Sequence, residues 1–566
     1  MPQSIRYTVR FPEPHTHYAE IEARIPVATN DPVELFLPVW TPGSYLIREY
    51  ARHIEDFRVN GSPVARRSKN RWLICSAPAG EAIVTYRVYC REMSVRTNWV
   101  EDSFAFLNGA PTFVNLADTP DLSYEVSLEL PAAWAVTAAG LEQIGAHRYR
   151  ADDYDTLVDS PLYAGNGAVY RFEIGGIPHD LVNEGEDGVW DGPRSAADTE
   201  TIVRSHLRMW GAPPYRRYVF LNLITEGRGG LEHKNSMCVM TSRWAMRSEK
   251  TYRNWLALIS HEFFHVWNVK RLRPVELGPF DYERENSTAA LWFAEGLTEY
   301  YAHLLVRRAG LTTRADYLAE LSEAIHGLQT TPGRLVTSVE QASRDAWIKL
   351  YRPDENTPNT SISYYVKGAV IGWLLDARIR AASGGARSLD DLMRVAYDRY
   401  GGPRGFSSDE IRAAASEIAG APLDDFFRDT LQSTAELDYV EALEWFGLRF
   451  RPVERTGRAW LGAETKIESG RLLVKRIPRG VPAYGSGMNV DDEIVAICGF
   501  RIRPESLAQR LENYQAGDRV NFMVARREKM REIDVTLGED PGDTWRLEIR
   551  PNATPAQKRN LESWLE

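Results

Sequence analysis

The sequence predicts a multidomain α+β protein, with an amino-terminal antiparallel β domain over residues 1–170, a mainly helical domain over 171–440, a β module over 441–545 and a tail over 546–566. Three observations predict it. Up to about residue 170, short β-branched and aromatic runs alternate in polarity; from 171 to 440, after a short β portion, the apolar period becomes helical; from about 445 strand-like runs return. The 566 residues, 43% hydrophobic and 26% charged, describe a globular chain long enough to bury a sizeable core.

In order along the chain, residues 5–11, 19–23, 34–39 and 83–89 read as strands of an antiparallel sheet domain. His15 and His17 are expected on one side of a strand, packing or hydrogen-bonding, with no third ligand nearby. Residues 218–224 form a further strand, and helices are expected over 195–209, 255–269, 288–308, 314–329, 363–382, 388–397 and 408–419.

Composition excludes several functions. The net charge is −10 and basic residues are dispersed, which gives no electrostatic support for a nucleic-acid or anionic-membrane partner. The four cysteines, Cys75, Cys90, Cys238 and Cys498, have neither a CxxC nor a paired framework. No apolar run approaches the ~20 residues needed to span a bilayer. The amino terminus lacks a cationic segment followed by an apolar core, so the expected location is the cytoplasm.

The chemistry is concentrated in His261-Glu262-Phe263-Phe264-His265. On a helix, positions four apart share a face, so His261 and His265 can aim ring nitrogens at one zinc ion while Glu262 projects beside it. Two core histidines satisfied by polar partners are the alternative. Zinc at a hydrolytic site needs a third protein ligand and a water, and the amphipathic segment 288–308 can supply Glu295. Glu299, one turn further on, is placed to accept the other ring N–H of a ligating histidine, or else lies on a solvated face.

His261 to His265 together with Leu291-Trp292-Phe293-Ala294-Glu295-Gly296 resembles the gluzincin metallopeptidases, whose thermolysin-like catalytic domain takes its third zinc ligand from a following helix. The 29 residues between His265 and Glu295 exceed the common aminopeptidase spacing. That longer loop, with Trp40-Thr41-Pro42-Gly43-Ser44-Tyr45 and a carboxy-terminal PDZ-like segment, resembles the glycyl aminopeptidase family across essentially the whole chain.

The resemblance implies one Zn2+ per chain held by His261, His265 and Glu295, with Glu262 as general base, although a site of this type also accepts Co, Mn or Ni. Gly229-Gly230-Leu231-Glu232-His233 is similar to the Gly-x-Met-Glu-Asn element of other aminopeptidases, which implies that Glu232, with Gly229 and Gly230, binds the substrate's α-ammonium. Leu and His depart from that pattern, and an exposed glutamate at a Gly turn is the alternative. Tyr364-Tyr365-Val366-Lys367-Gly368 resembles the Tyr-x-Lys-Gly element, which implies oxyanion stabilisation by Tyr365, with Tyr364 as its rival.

The expected function is zinc-dependent removal of small N-terminal residues, Gly and Ala preferred, from peptides with a free amino terminus. A zinc endopeptidase, or a PDZ scaffold with a non-catalytic metal site, is the alternative. The loop Trp460-Leu461-Gly462-Ala463 is placed like a PDZ carboxylate-binding loop, which implies capture of a peptide C-terminus, unless the module only packs on its neighbour.

Overall fold

The computed structural model describes residues 4–27, 32–76, 80–117, 122–452, 457–542 and 544–566. The chain forms two compact units, one of Met1–Thr288, Tyr301–Thr313 and Leu392–Ile411, the other of Ala289–Tyr300, Arg314–Asp391 and Arg412–Glu566.

In the first unit a seven-stranded sheet has the order Glu142–Gly145, Arg148–Ala151, Ser123–Glu129, Ser4–Arg10, Tyr18–Val27, Gly80–Tyr89 and Ile54–Val59. Alternation decides which face is buried: Ala19, Ile21, Ala23, Ile25 and Val27 point into the core, while Glu20, Glu22 and Arg24 do not. One pairing departs from the expected antiparallel arrangement, because Ser4–Arg10 runs parallel to Ser123–Glu129. A long connection joins these strands, so no hairpin fixes their relative direction. The expected strand position of the two histidines fails as well, whereas the hydrogen bonding expected of them holds for His17. Pro14–Thr16 forms a 3-10 turn and His17 takes a left-handed φ of 66°, so His15 and His17 share no strand face; His17 Nδ1 instead lies 2.7 Å from the Val100 carbonyl.

A five-stranded sheet of this unit positions the chemistry. Its order is Ala168–Ile174, Ile177–Glu184, Tyr218–Thr225, Ser236–Ser242 and Gly229–Glu232. The three middle strands are parallel, and Tyr218–Thr225 is buried along nearly its whole length, as a strand covered on both faces must be. The helix Gly192–Trp210 makes the crossover, starting at Asp191, whose carboxylate accepts the Arg194 N–H at 3.0 Å. The helix Glu249–Phe264 is tied to the sheet where Trp255 Nε1 donates to Asn222 Oδ1 at 3.2 Å. It starts earlier and stops sooner than periodicity suggests. His265 is its C-cap and Val269 adopts φ 90°, a left-handed turn held by the Val269 N–H to the Leu272 carbonyl.

Trp292–Gly296, in the second unit, is a π-helical turn rather than regular α-helix; the α-helix proper is Leu297–Arg308, which the first unit counts as its own from Tyr301 on. The helix Tyr364–Ala382 is buried along most of its length. A six-stranded sheet that includes Glu464–Glu468, Arg471–Arg476, Glu493–Ile497, Arg519–Arg526 and Lys529–Thr536 encloses its own core around Leu472, Val474, Val520 and Phe522. Asn359 joins it to the helical part, donating to the Ile477 carbonyl at 3.1 Å and accepting the Arg479 N–H at 2.6 Å.

Flanking that module, Leu448–Phe450 pairs with Leu547–Ile549. The final helix, Pro555–Leu565, begins with a capping box at Thr554 and buries Leu561, Trp564 and Leu565. Trp564 stacks on Phe446 at 4.2 Å, and its Nε1 donates to Tyr300 Oη at 2.7 Å. Among the described residues no helix is long and apolar enough to cross a membrane.

Candidate metal centre and amine pocket

The last turn of Glu249–Phe264 delivers His261 and Glu262, and its C-cap delivers His265. The two imidazole rings stand 4.9 Å apart and nearly perpendicular, at 78°. His265 Nδ1 lies 2.8 Å from the Asn268 carbonyl, an oxygen that can only accept, so Nδ1 carries the proton and Nε2 is the ring's lone-pair nitrogen. His261, His265 and Glu295 are buried and each offers a ligand atom, all within 4.8 Å of one another. Two imidazoles and a carboxylate make a donor set that suits zinc and leaves a fourth position for water.

Close backbone approaches set the carboxylates. Gly230, on the edge strand that Gly229 opens, faces Glu262: a Cβ there would lie 1.9 Å from Glu262 Oε1. Glu295 sits in the π turn, where Gly296 meets Gly368 of the Tyr364–Ala382 helix so closely that a Cβ on Gly296 would lie 2.5 Å from the Gly368 Cα. The glycine of the Tyr-x-Lys-Gly element therefore acts on the helix turn that holds Glu295. Tyr364 is fully buried and Tyr365 half-buried, their rings stacked at 4.8 Å. Glu299 lies half-buried in the first turn of Leu297–Arg308.

Glu232 is 3% exposed, at the end of the edge strand, rather than the solvated turn residue that was its alternative. Its ligand atom lies within 4.8 Å of those of Glu262 and His265. The Trp40 to Tyr45 loop closes over it. Gly43, at φ 87°, has room for no side chain, since a Cβ would sit 2.4 Å from Glu232 Oε1. Trp40 Nε1 donates to the Asp281 carbonyl at 2.8 Å and its ring meets Phe280 edge-on at 5.7 Å, so this loop packs on the long segment that follows His265. Trp40, Gly43, Tyr45, Glu232, Leu277 and Phe280 line a cavity of about 20 Å³.

Sequence reasoning missed the groups around Glu232. Lys270 Nζ donates to Asp159 Oδ1 at 2.7 Å and lies 3.9 Å from Glu232 Oε1. His233 Nδ1 is 3.3 Å from Asp159 Oδ1. Burial opposes ionisation of Asp159, yet Lys270, with His233 beside it, outweighs burial and holds the carboxyl below the ordinary carboxylate range. Asp159 and Lys270 stand 111 residues apart, and no local pattern links them.

Fold and donor set together define a metallopeptidase with a long ligand-spacing loop. Residues 6–166 match the Peptidase M61 N-terminal domain and residues 254–371 match the M61 glycyl aminopeptidase domain. The crystal structure of an aminopeptidase N family protein from Idiomarina loihiensis is 30% identical, with a TM-score of 0.93, over 99% of this chain and 100% of that one. The carboxy-terminal region is 31% identical over 100 residues to a probable periplasmic serine endoprotease DegP-like of Brucella suis biovar 1 (strain 1330), a match spanning 18% of this chain and 19% of that relative's length. The chain belongs to the M61 glycyl aminopeptidase family of metallo-aminopeptidases.

Proposed function

We propose that this chain is a zinc aminopeptidase, with one zinc per chain, that removes small N-terminal residues, Gly and Ala preferred, from peptides with a free amino terminus. The observation that carries this reading is the clustering of buried Glu232 with Glu262 and His265. It brings an anionic anchor for an ammonium next to a general base and a metal ligand. Size preference is supported by the cavity of about 20 Å³ beside Glu232, which has room for roughly one water or methyl group.

His261, His265 and Glu295 would hold the zinc, which would supply Lewis acidity and lower the pKa of a water to about 7. Glu262 is the group placed to take a proton from the attacking water and return it to the leaving amine. Glu232 pairs with the α-ammonium and so fixes which peptide bond reaches Glu262. Tyr365 donates its phenolic hydrogen to the charge developing on the carbonyl oxygen, a role supported by its partial exposure beside buried Tyr364.

We divide the chain at 1–170, 171–440, 441–545 and 546–566, the third segment being a PDZ-like module for a peptide C-terminus; a hydrophobic core of its own supports its being a separate module. The free thiols, Cys75 and Cys498 exposed among them, support a reducing location such as the cytoplasm.

The test is release of glycine or alanine from matched peptides with free and acetylated amino termini, using zinc-replete enzyme, chelated enzyme and Glu262→Gln. Cleavage confined to free amino termini and lost on chelation and substitution is expected; equal cleavage of both peptides makes the chain an endopeptidase instead.

A further inference from the structure

The surroundings of Glu232 pose an electrostatic problem, and its solution rests on the amine-anchoring reading of that residue. Glu232 Oε1 is buried and has no hydrogen-bond partner among the described residues. Leaving a buried carboxylate oxygen unpaired is costly, so this atom is built to receive a donor. A donor stands nearby: Lys270 Nζ, 3.9 Å away, is within electrostatic range but beyond hydrogen-bond distance. The lysine side chain is 9% exposed and ends in a compact ammonium on a flexible four-carbon stem, chemically the same group as a peptide's amino terminus. Left to itself, Lys270 would move in and close the site.

Asp159 prevents this. Its Oδ1 accepts from Lys270 Nζ at 2.7 Å, and its Oδ2 accepts the Lys234 backbone N–H, also at 2.7 Å. The aspartate is itself anchored at the C-cap of the short helix Tyr154–Val158. The one ammonium between the two carboxylates hydrogen-bonds Asp159 and stays beyond hydrogen-bond distance of Glu232. What Glu232 Oε1 lacks is an N–H donor.

We propose that Asp159 tethers Lys270 and so keeps it out of the position at Glu232 that the N-terminal ammonium of a peptide occupies. Lys270 is thus an internal competitor held in check, and Asp159 is a positioning residue that acts through it. The tether preserves a cationic neighbour that offsets part of the buried negative charge without filling the binding position.

The test is steady-state hydrolysis of a glycyl chromogenic amide and its N-acetyl counterpart, with zinc content and Tm measured for every variant. Asp159→Asn keeps the shape but loosens the tether, so KM for the free amine rises about tenfold or more while kcat stays within about threefold. Asp159→Asn/Lys270→Met removes the competitor as well, and KM returns to within about threefold of the wild-type value. An unchanged KM in Asp159→Asn, or a double variant as impaired as the single one, overturns the proposal; the second result assigns Asp159 a purely structural role. If Asp159→Asn does not fold, Lys270→Arg serves. Its longer fork bridges Asp159 and Glu232 and raises KM about tenfold, whereas an unchanged KM again overturns the proposal. Glu232→Gln separates this idea from the reading beneath it: loss of the preference for free over acetylated substrate supports the amine anchor, and an unchanged preference overturns that anchor whatever Asp159 and Lys270 do.

Discussion

At the scale of single residues, the site works by placing carboxylates against backbone that has no side chain. Glu262→Gln keeps shape and burial but removes the base, so turnover falls about 100-fold or more while zinc content, measured by elemental analysis, stays at one per chain. Gly230→Ala makes a separate prediction. The added methyl would sit 1.9 Å from Glu262 Oε1 and must push the base aside, so kcat falls by at least about tenfold with zinc retained. Lys367 carries a pH dependence. Burial pushes its ammonium down to about 8 from the ordinary 10.5. Between those values the unfolded chain binds more protons than the folded one, so stability rises with pH across the window and the cost of burying the charge is complete below it. Lys367→Met should raise Tm at pH 7, and the gain should shrink as pH approaches 10.5; a gain independent of pH would sink this account.

At the scale of elements, the π turn Trp292–Gly296 and the helix Tyr364–Ala382 form one device. Gly368 has the Gly296 Cα 2.7 Å and the Trp292 carbonyl oxygen 2.8 Å from where its Cβ would be. Gly368→Ala forces them apart at a cost of about 1–3 kcal/mol and shifts Glu295 with them. Tm should fall and zinc affinity, measured by competition with a chelator, should weaken. The sequence carries both glycines in recognisable motifs, yet nothing in it says that they touch. Periodicity likewise finds a helix through His261 but runs it on to residue 269. The helix stops at His265 because the following residues turn back, with the Asn268 carbonyl holding the imidazole and the left-handed conformation taken by Val269, a β-branched residue that is no customary helix stop.

At the scale of the whole molecule, the chain's last residues belong to the core of their unit. Trp564, fully buried, stacks on Phe446 and donates to Tyr300, which in turn donates to Asp376 Oδ2 at 2.8 Å. Trp564→Ala should cost about 3–5 kcal/mol, read by denaturant unfolding, and cutting at residue 445 should abolish folding. The β module behaves differently because Leu448–Phe450 and Leu547–Ile549 pair on either side of it. Replacing residues 457–542 by a short flexible linker should leave kcat/KM for a small glycyl amide within about threefold.

By itself the sequence determined the metal-ligand pattern, the order of β and helical regions and the family. These rest on residue spacing along the chain: four residues on a helix face, motifs contiguous in the chain, and the period of apolar residues. Only the tertiary structure decided what surrounds Glu232: the Gly43 turn, Trp40 on Phe280, and the Asp159–Lys270 pair. Those contacts join residues more than a hundred positions apart, and charge and steric fit at such separations are properties of the folded chain that no local pattern encodes.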